Sequence, residues 1–258
     1  MVKGLYTAYT GMLNQQHKMD VVSNNMANAA TTGYKKEGST AQSFDAVLAL
    51  RIKDETTAAR SSGIGRMNLG VKIGENYTDY GQGAFQSTDN PYDLAISGDG
   101  FFCVEFTNKA GKSSIKYTRD GSFTVNVDGN LVTKDGDYVL DTRGQRIKLD
   151  TMAKTRIDEK GYIYQNDKEV AQIGLQDFED YNYLEHYGEN FYQPVEGARE
   201  KASTAQIFEG YLEASNVQVV DEMVELISVT RAYESNQRVI QTIDDTLDKA
   251  VNQLGRVQ

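Results

Sequence analysis

Apolar side chains recur at alternating three- and four-residue steps at both ends of this chain, and tight-turn dipeptides cut everything between them. That spacing puts one narrow apolar stripe on a helix, the seam of a coiled coil. At the N-terminal end the stripe runs through Leu5, Ala8, Met12, Met19, Val22, Met26 and Ala29, with Gln15 as the polar interruption. Thr31-Thr32-Gly33 ends it, because two β-branched residues weaken a helix and glycine takes the left-handed position beyond its last turn. At the C-terminal end Leu226, Val229, Tyr233, Ile240, Ile243, Leu247, Ala250 and Leu254 share a stripe in which Asn236 is the polar member. The spacing predicts helices over 3–30 and 217–254. The second would be about 57 Å long, more than a domain of this size needs to cover its own core. Its first half is apolar off the stripe too, at Val220, Met223, Val224 and Ile227. One partner helix hides one face, so the surplus predicts several neighbours, which a polymer supplies.

The middle carries Asp99-Gly100, Asp120-Gly121, Asp128-Gly129 and Asp135-Gly136, set between strand-like runs such as 101–104, 122–125 and 138–140. Asp-Gly between such runs is a strong hairpin signal, since both residues tolerate positive φ. An antiparallel β domain follows. The predicted fold is α+β: N- and C-terminal helices paired as a coiled-coil-like stalk, with an all-β antiparallel domain inserted. Its divisions are 1–33 (N-terminal helix), 34–75 (extended connector), 76–209 (β domain) and 210–258 (C-terminal helix). Within the connector, Ser61-Ser62-Gly63-Ile64-Gly65 reads as a flexible loop. A helix pair this thin buries little surface, so the ends are expected to order fully on assembly.

Composition narrows the function. The 258 residues carry a net charge of −10 and offer no basic stripe to displace counterions from phosphate, which argues against nucleic acid. No run nears the roughly 18 apolar residues of a membrane span, so no membrane insertion is expected. The single cysteine, Cys103, rules out an intrachain disulfide and multi-thiolate zinc. The opening residues lack the apolar core of a cleaved secretory signal.

Chemical motifs are sparse. Gly98-Asp99-Gly100 starts like a dinucleotide fingerprint, but Phe101 and Phe102 continue as strand, so a turn is the simpler reading. No Asp-Gly pair sits in a calcium-loop pattern. Cys103 reads as a small buried apolar residue, and His17 and His186 are too far apart in sequence to suggest a site. No catalytic residue, metal or cofactor is expected. The aromatic run Phe178, Tyr181, Tyr183, Tyr187, Phe191 and Tyr192 could stack on a glycan, which keeps a cell-wall glycan-binding or glycan-hydrolysing β domain as the alternative; packing is favoured. Asn24, Asn25 and Asn28 are poor helix formers. They are expected either to fray or to hydrogen-bond between helices in an assembled wall, where buried amides fix register.

Several segments resemble the signatures of the bacterial flagellar axial proteins, the rod, hook and hook-associated family. They are Leu5-Tyr6-Thr7-Ala8 with Gly11-Met12, Ser23-Asn24-Asn25-Met26-Ala27-Asn28, and Thr31-Thr32-Gly33-Tyr34-Lys35. The core motif Asp93 to Phe102, including Gly98, Asp99, Gly100, Phe101 and Phe102, is followed by Tyr117-Thr118-Arg119-Asp120-Gly121 and Gly188-Glu189-Asn190-Phe191-Tyr192. Gly210 to Val217, with Asn216, and Arg231 to Asn236 close the series. Length is similar to the distal rod protein or its close proximal-rod sister. The resemblance implies a structural rod subunit of the flagellar basal body. It implies export through the flagellar export apparatus, assembly as a helical homopolymer with other rod and hook proteins, and transmission of torque from motor to hook. The assembly interface is then expected on Leu5, Met12, Met19, Val22, Asn24, Asn25, Met26, Asn28, Asn216, Leu226, Val229, Tyr233, Asn236, Ile240, Ile243, Leu247 and Leu254.

Overall fold

A computed structural model describes residues 2–45, 47–52, 61–108, 111–166, 168–188 and 190–252. The chain forms two compact units. One takes Met1–Ala27, Glu37–Asp79 and Gln218–Gln258, the other Asn28–Lys36 and Tyr80–Val217.

In the first unit the apolar stripes lie on helix α1, Val2–Ala27, and helix α2, Val219–Asn252. The helices pack side by side. A Cβ built on Gly4 would sit 3.7 Å from Ile243 Cδ1, and one on Gly11 would sit 3.0 Å from Asn236 Nδ2. Asn25 Nδ2 reaches Glu222 Oε2 at 3.2 Å. Going up α1 from residue 4 to 11 to 25 thus matches going down α2 from 243 to 236 to 222, so the pair is antiparallel. The span read as an extended connector contains two antiparallel ladders. Glu37–Ser43 pairs with Val71–Thr78, and Val47–Ile52 with Ser61–Met67. Ser61 to Gly65 is therefore strand and not the flexible loop expected. Small residues give no apolar alternation to read, but they can join a ladder when a β-branched partner strand is present. A register shift between Ala49 and Leu50, opposite this glycine-bearing stretch, is the irregularity such residues favour. Within the connector, residues 46 and 53–60 lie outside the described residues.

The second unit is built around the strand Phe101–Thr107, which bonds to Ser113–Thr118, Tyr138–Val139 and Leu175–Phe178 in a sheet of nine described strands. Successive residues of a strand point to opposite faces. Phe101 and Phe102, both fully buried, accordingly anchor different cores. Phe102 packs with Leu94, Ile96, Phe123, Ile163 and Ile173, meeting the Phe123 ring edge-on at 5.0 Å. Phe101 packs with Tyr117, Phe178, Leu184 and Tyr192.

Two of the four Asp-Gly pairs close hairpins. Gly129 and Gly136, both at positive φ, join the adjacent strands Phe123–Val125, Leu131–Thr133 and Tyr138–Val139. The other two do not. Asp99-Gly100 links Leu94–Ser97, which pairs with Gln206–Glu209, to the central strand, and Gly98 and Gly100 at φ 105° and 140° redirect the chain between separate ladders. At Asp120-Gly121 the need is for space: a Cβ on Gly121 would lie 1.7 Å from the Leu94 carbonyl oxygen, where Leu94 N donates to Gly121 O. A dipeptide shows that the backbone turns or approaches closely, not which strands it joins.

Phe102→Ala is expected to lower stability by about 3–5 kcal/mol. Ile115→Ala, at a half-exposed position outside both cores, should cost about 0.5 kcal/mol or less. Urea unfolding followed by circular dichroism separates them, and equal losses would contradict the assignment of Phe102 as a core anchor.

Candidate functional site

Burial along the two stripes is uneven. Val22 and Val229 are buried, while Leu5, Met12, Met19, Met26, Leu226, Tyr233, Asn236, Ile240 and Ile243 are half-buried. Leu247 is exposed, and Leu254 lies outside the described residues. The close approach at Gly11 gives Asn236, the polar member of its stripe, room to lie against α1. The off-stripe residues behave differently. Val220 and Val224 are 72% and 63% exposed, and Met223 and Ile227 are about half exposed. Sequence periodicity pointed to the stripes as the assembly interface, but the apolar area left open is beside them.

The three asparagines divide. Asn24 is exposed and Asn28 half-buried, its carbonyl accepting from Thr31 N and its side chain from Thr31 Oγ1 where the helix stops. Asn25 is 1% exposed. Its Nδ2 donates to Glu37 O at 2.8 Å and its Oδ1 accepts from Glu37 N at 2.9 Å, so the amide pairs with a peptide group as a neighbouring strand would. The same Nδ2 faces Glu222, which is fully buried. Asn25 was expected to fray or to bond across an assembled wall; it is instead an internal tie between α1, α2 and the strand from Glu37. A carboxamide does this because it carries a donor and an acceptor on one planar group.

In the second unit, segments far apart in sequence meet around one carboxylate. Glu213 Oε1 accepts from Lys35 Nζ at 2.5 Å and from Gly83 N at 2.9 Å, and Oε2 from Arg119 Nη1 at 3.5 Å. All three charged side chains are essentially without solvent contact. Lys35 Nζ also donates to Gly81 O, and the Arg119 guanidinium lies 5.1 Å from the centre of the Phe101 ring. Around this core, Gly33 N donates to Glu213 O, Lys36 N to Asn216 Oδ1, Asn216 Nδ2 to Gly81 O, and Asn190 Nδ2 to Thr32 O. Thr32 Oγ1 donates to Asp120 Oδ1 at 2.8 Å. Gly33 sits at φ 70° with its Cα face 2.4 Å, in Cβ terms, from Asp120 N, so no side chain fits there. Lys35, Arg119 and Glu213 each stand in a motif picked out in the sequence, but their mutual contact was missed. Three charges of complementary sign inside apolar-flanked motifs were the available signal.

Burial, with the Glu200 carboxylate adding to it, pushes the Cys103 thiol up to about 12, so it is no nucleophile at neutral pH. The aromatic run is largely interior. Tyr181 stands 4.9 Å from Tyr80 and 5.7 Å from Phe101, and Tyr192 lies 5.4 Å from both, ring centre to ring centre. Burial and the hydrogen bond from Tyr181 Oη to Asp177 raise the Tyr181 phenol. Tyr183 and Tyr187 are exposed, and Glu189 of the adjoining motif lies outside the described residues.

Three family models match the chain. Residues 5–35 match "Flagella basal body rod protein", 95–165 match "Flagellar hook protein FlgE/F/G D1 domain" and 209–254 match "Flagellar basal body rod FlgEFG protein C-terminal". The flagellar basal-body rod protein FlgF of Caulobacter vibrioides is 34% identical over the full length of both chains. The flagellar hook-basal body complex protein FlhO of Bacillus subtilis is 33% identical, again over the whole of both. The flagellar basal-body rod protein FlgG of Bacillus subtilis is 34% identical over 98% of this chain and 99% of its own.

Removing one partner of a buried ion cluster strands the others. Glu213→Ala is expected to cost about 3–5 kcal/mol in urea unfolding. Arg199→Ala, which breaks an exposed pair with Glu179, should cost about 0–1 kcal/mol. Equal effects would show that the Glu213 cluster carries no special weight.

Proposed function

The chain belongs to the flagellar basal-body rod protein family, and on that premise we propose that it is a structural subunit of the basal-body rod, held there by helix faces that a single copy leaves open. The family is one of structural proteins that assemble with other rod and hook components. The observation that carries the reading is the exposed apolar row Val220, Met223, Val224 and Ile227, which falls inside the segment matching the family's C-terminal model. An exposed row of this kind on a long helix marks an association surface.

The finer picture follows from the same residues. Contacts at residues 4, 11 and 25 of α1 against 243, 236 and 222 of α2 step in sevens and fourteens, the spacing of a coiled-coil seam, which supports pairing of that kind. Copies stacked through the open row would form a helical homopolymer, a tube able to carry torque from motor to hook. The strands between 80 and 217 would supply lateral contacts. Passage through the flagellar export apparatus fits a chain whose folding needs both of its ends. The stripe residues hold each subunit together, and the open row holds subunits to each other. The aromatic run packs inward around Phe101, which gives a glycan site no particular support.

The test separates folding from assembly. Val220→Asp with Val224→Asp is expected to leave the unfolding free energy of the purified chain, measured in urea, within about 0.5 kcal/mol of the parent, because both side chains are exposed. The same pair should abolish incorporation into basal bodies and swimming. Normal motility in that double variant would remove the proposal.

A further inference from the structure

The first unit carries a hole and a knob that it cannot bring together. The hole is a groove of about 250 Å³ whose described lining is Val224, Ile227, Ser228 and Arg231, one face of α2 at successive helical turns. Two walls are aliphatic. Arg231 is exposed and makes no ion pair or hydrogen bond among the described residues, so an unspent guanidinium stands at the rim of an apolar slot. An aliphatic side chain would leave that cation unused, and a carboxylate would leave the apolar walls unused. A phenol ring uses both: its face attracts a guanidinium, its carbons fill the slot and its hydroxyl stays wet.

The knob is at the other end of the helix pair. Tyr6 and Tyr9 of α1 are 60% and 51% exposed, and Leu13 beside them is exposed as well. The antiparallel register puts them alongside the α2 turns near 238–241, roughly 15–20 Å along the axis from the groove. A subunit therefore cannot fill its own groove. Two copies meeting groove to groove would leave both pairs of rings in water.

We propose that Tyr6 and Tyr9 of one subunit lie in the Val224–Arg231 groove of the next copy of this chain. The contact joins two different surfaces, so each subunit keeps one free knob and one free groove, and growth does not close on itself. This gives the polymer a direction. It rests on the rod reading, whose own failure would appear separately, as absence of the unmodified chain from purified basal bodies.

The experiment replaces Tyr6 with the photoreactive analogue benzoylphenylalanine in the full chain and irradiates purified basal bodies. The expected product is a ladder of self-adducts in which residue 6 is joined to the peptide spanning 224–231 of another copy. Arg231→Gln, at an exposed position, should leave the chain in basal bodies and cut the ladder several-fold. Ile227→Asp should remove it while the purified chain keeps the parent's circular dichroism. Adducts to a different protein, adducts to another segment of this chain, or a ladder untouched by both substitutions would overturn the proposal.

Discussion

Glu213 is the group on which the arrangement turns. The chain passes between its two units at four points, after residues 27, 36, 79 and 217. Three of the segments next to those points, ending at Lys36, starting at Tyr80 and ending at Val217, are tied by Lys35, Gly81, Gly83, Glu213 and Asn216. A carboxylate out of water is costly, and it becomes tolerable only when several donors surround it at once. The donors come from residues 35, 83 and 119, and the carboxylate itself from residue 213. The buried carboxylate is fully paired only when all of these segments are in place.

Seen this way, the two ends of the chain do different work from what a simple seam suggests. The antiparallel contact within one chain runs through Gly4 and Gly11 of α1 against Ile243 and Asn236 of α2, and Asn25 with Glu222 and Glu37 adds a polar tie at one end of it. The second apolar face of α2 and Tyr6 and Tyr9 of α1 stay exposed in a single copy, and these are the surfaces proposed to meet neighbours. A subunit that must be stable alone and sticky in company needs both surfaces. Placing them on one helix pair lets a single scaffold serve folding and assembly.

Much of this was legible in the sequence. The three–four spacing placed both helices to within three residues, and the surplus apolar positions Val220, Met223, Val224 and Ile227 are the ones left open. The run 101–104 read as a strand, and it lies in the one at the middle of the nine-stranded sheet. The failures share a cause: each depended on a partner distant in sequence. Nothing local says that Gly121 is required by the Leu94 carbonyl, that Ser61 to Gly65 has a strand to pair with, or that Asn25 will meet Glu37 and Glu222. Charged residues were the hardest case. Lys35, Arg119 and Glu213 stand in separate motifs with nothing local to join them, and their mutual contact, spanning up to 178 residues of sequence, is what makes burial possible.

Oxidative footprinting of the methionines tests most directly whether the open face of α2 is where subunits meet. Met223 is about half exposed and Met152, in the β unit, almost fully exposed, whereas Met19 and Met26 are half-buried. In the purified chain Met223 and Met152 should both oxidise readily. In purified basal bodies Met223 should become protected by at least an order of magnitude relative to its rate in the free chain. Equal reactivity of Met223 in the free and assembled protein would mean that this face stays in water, and the account would be wrong at its centre.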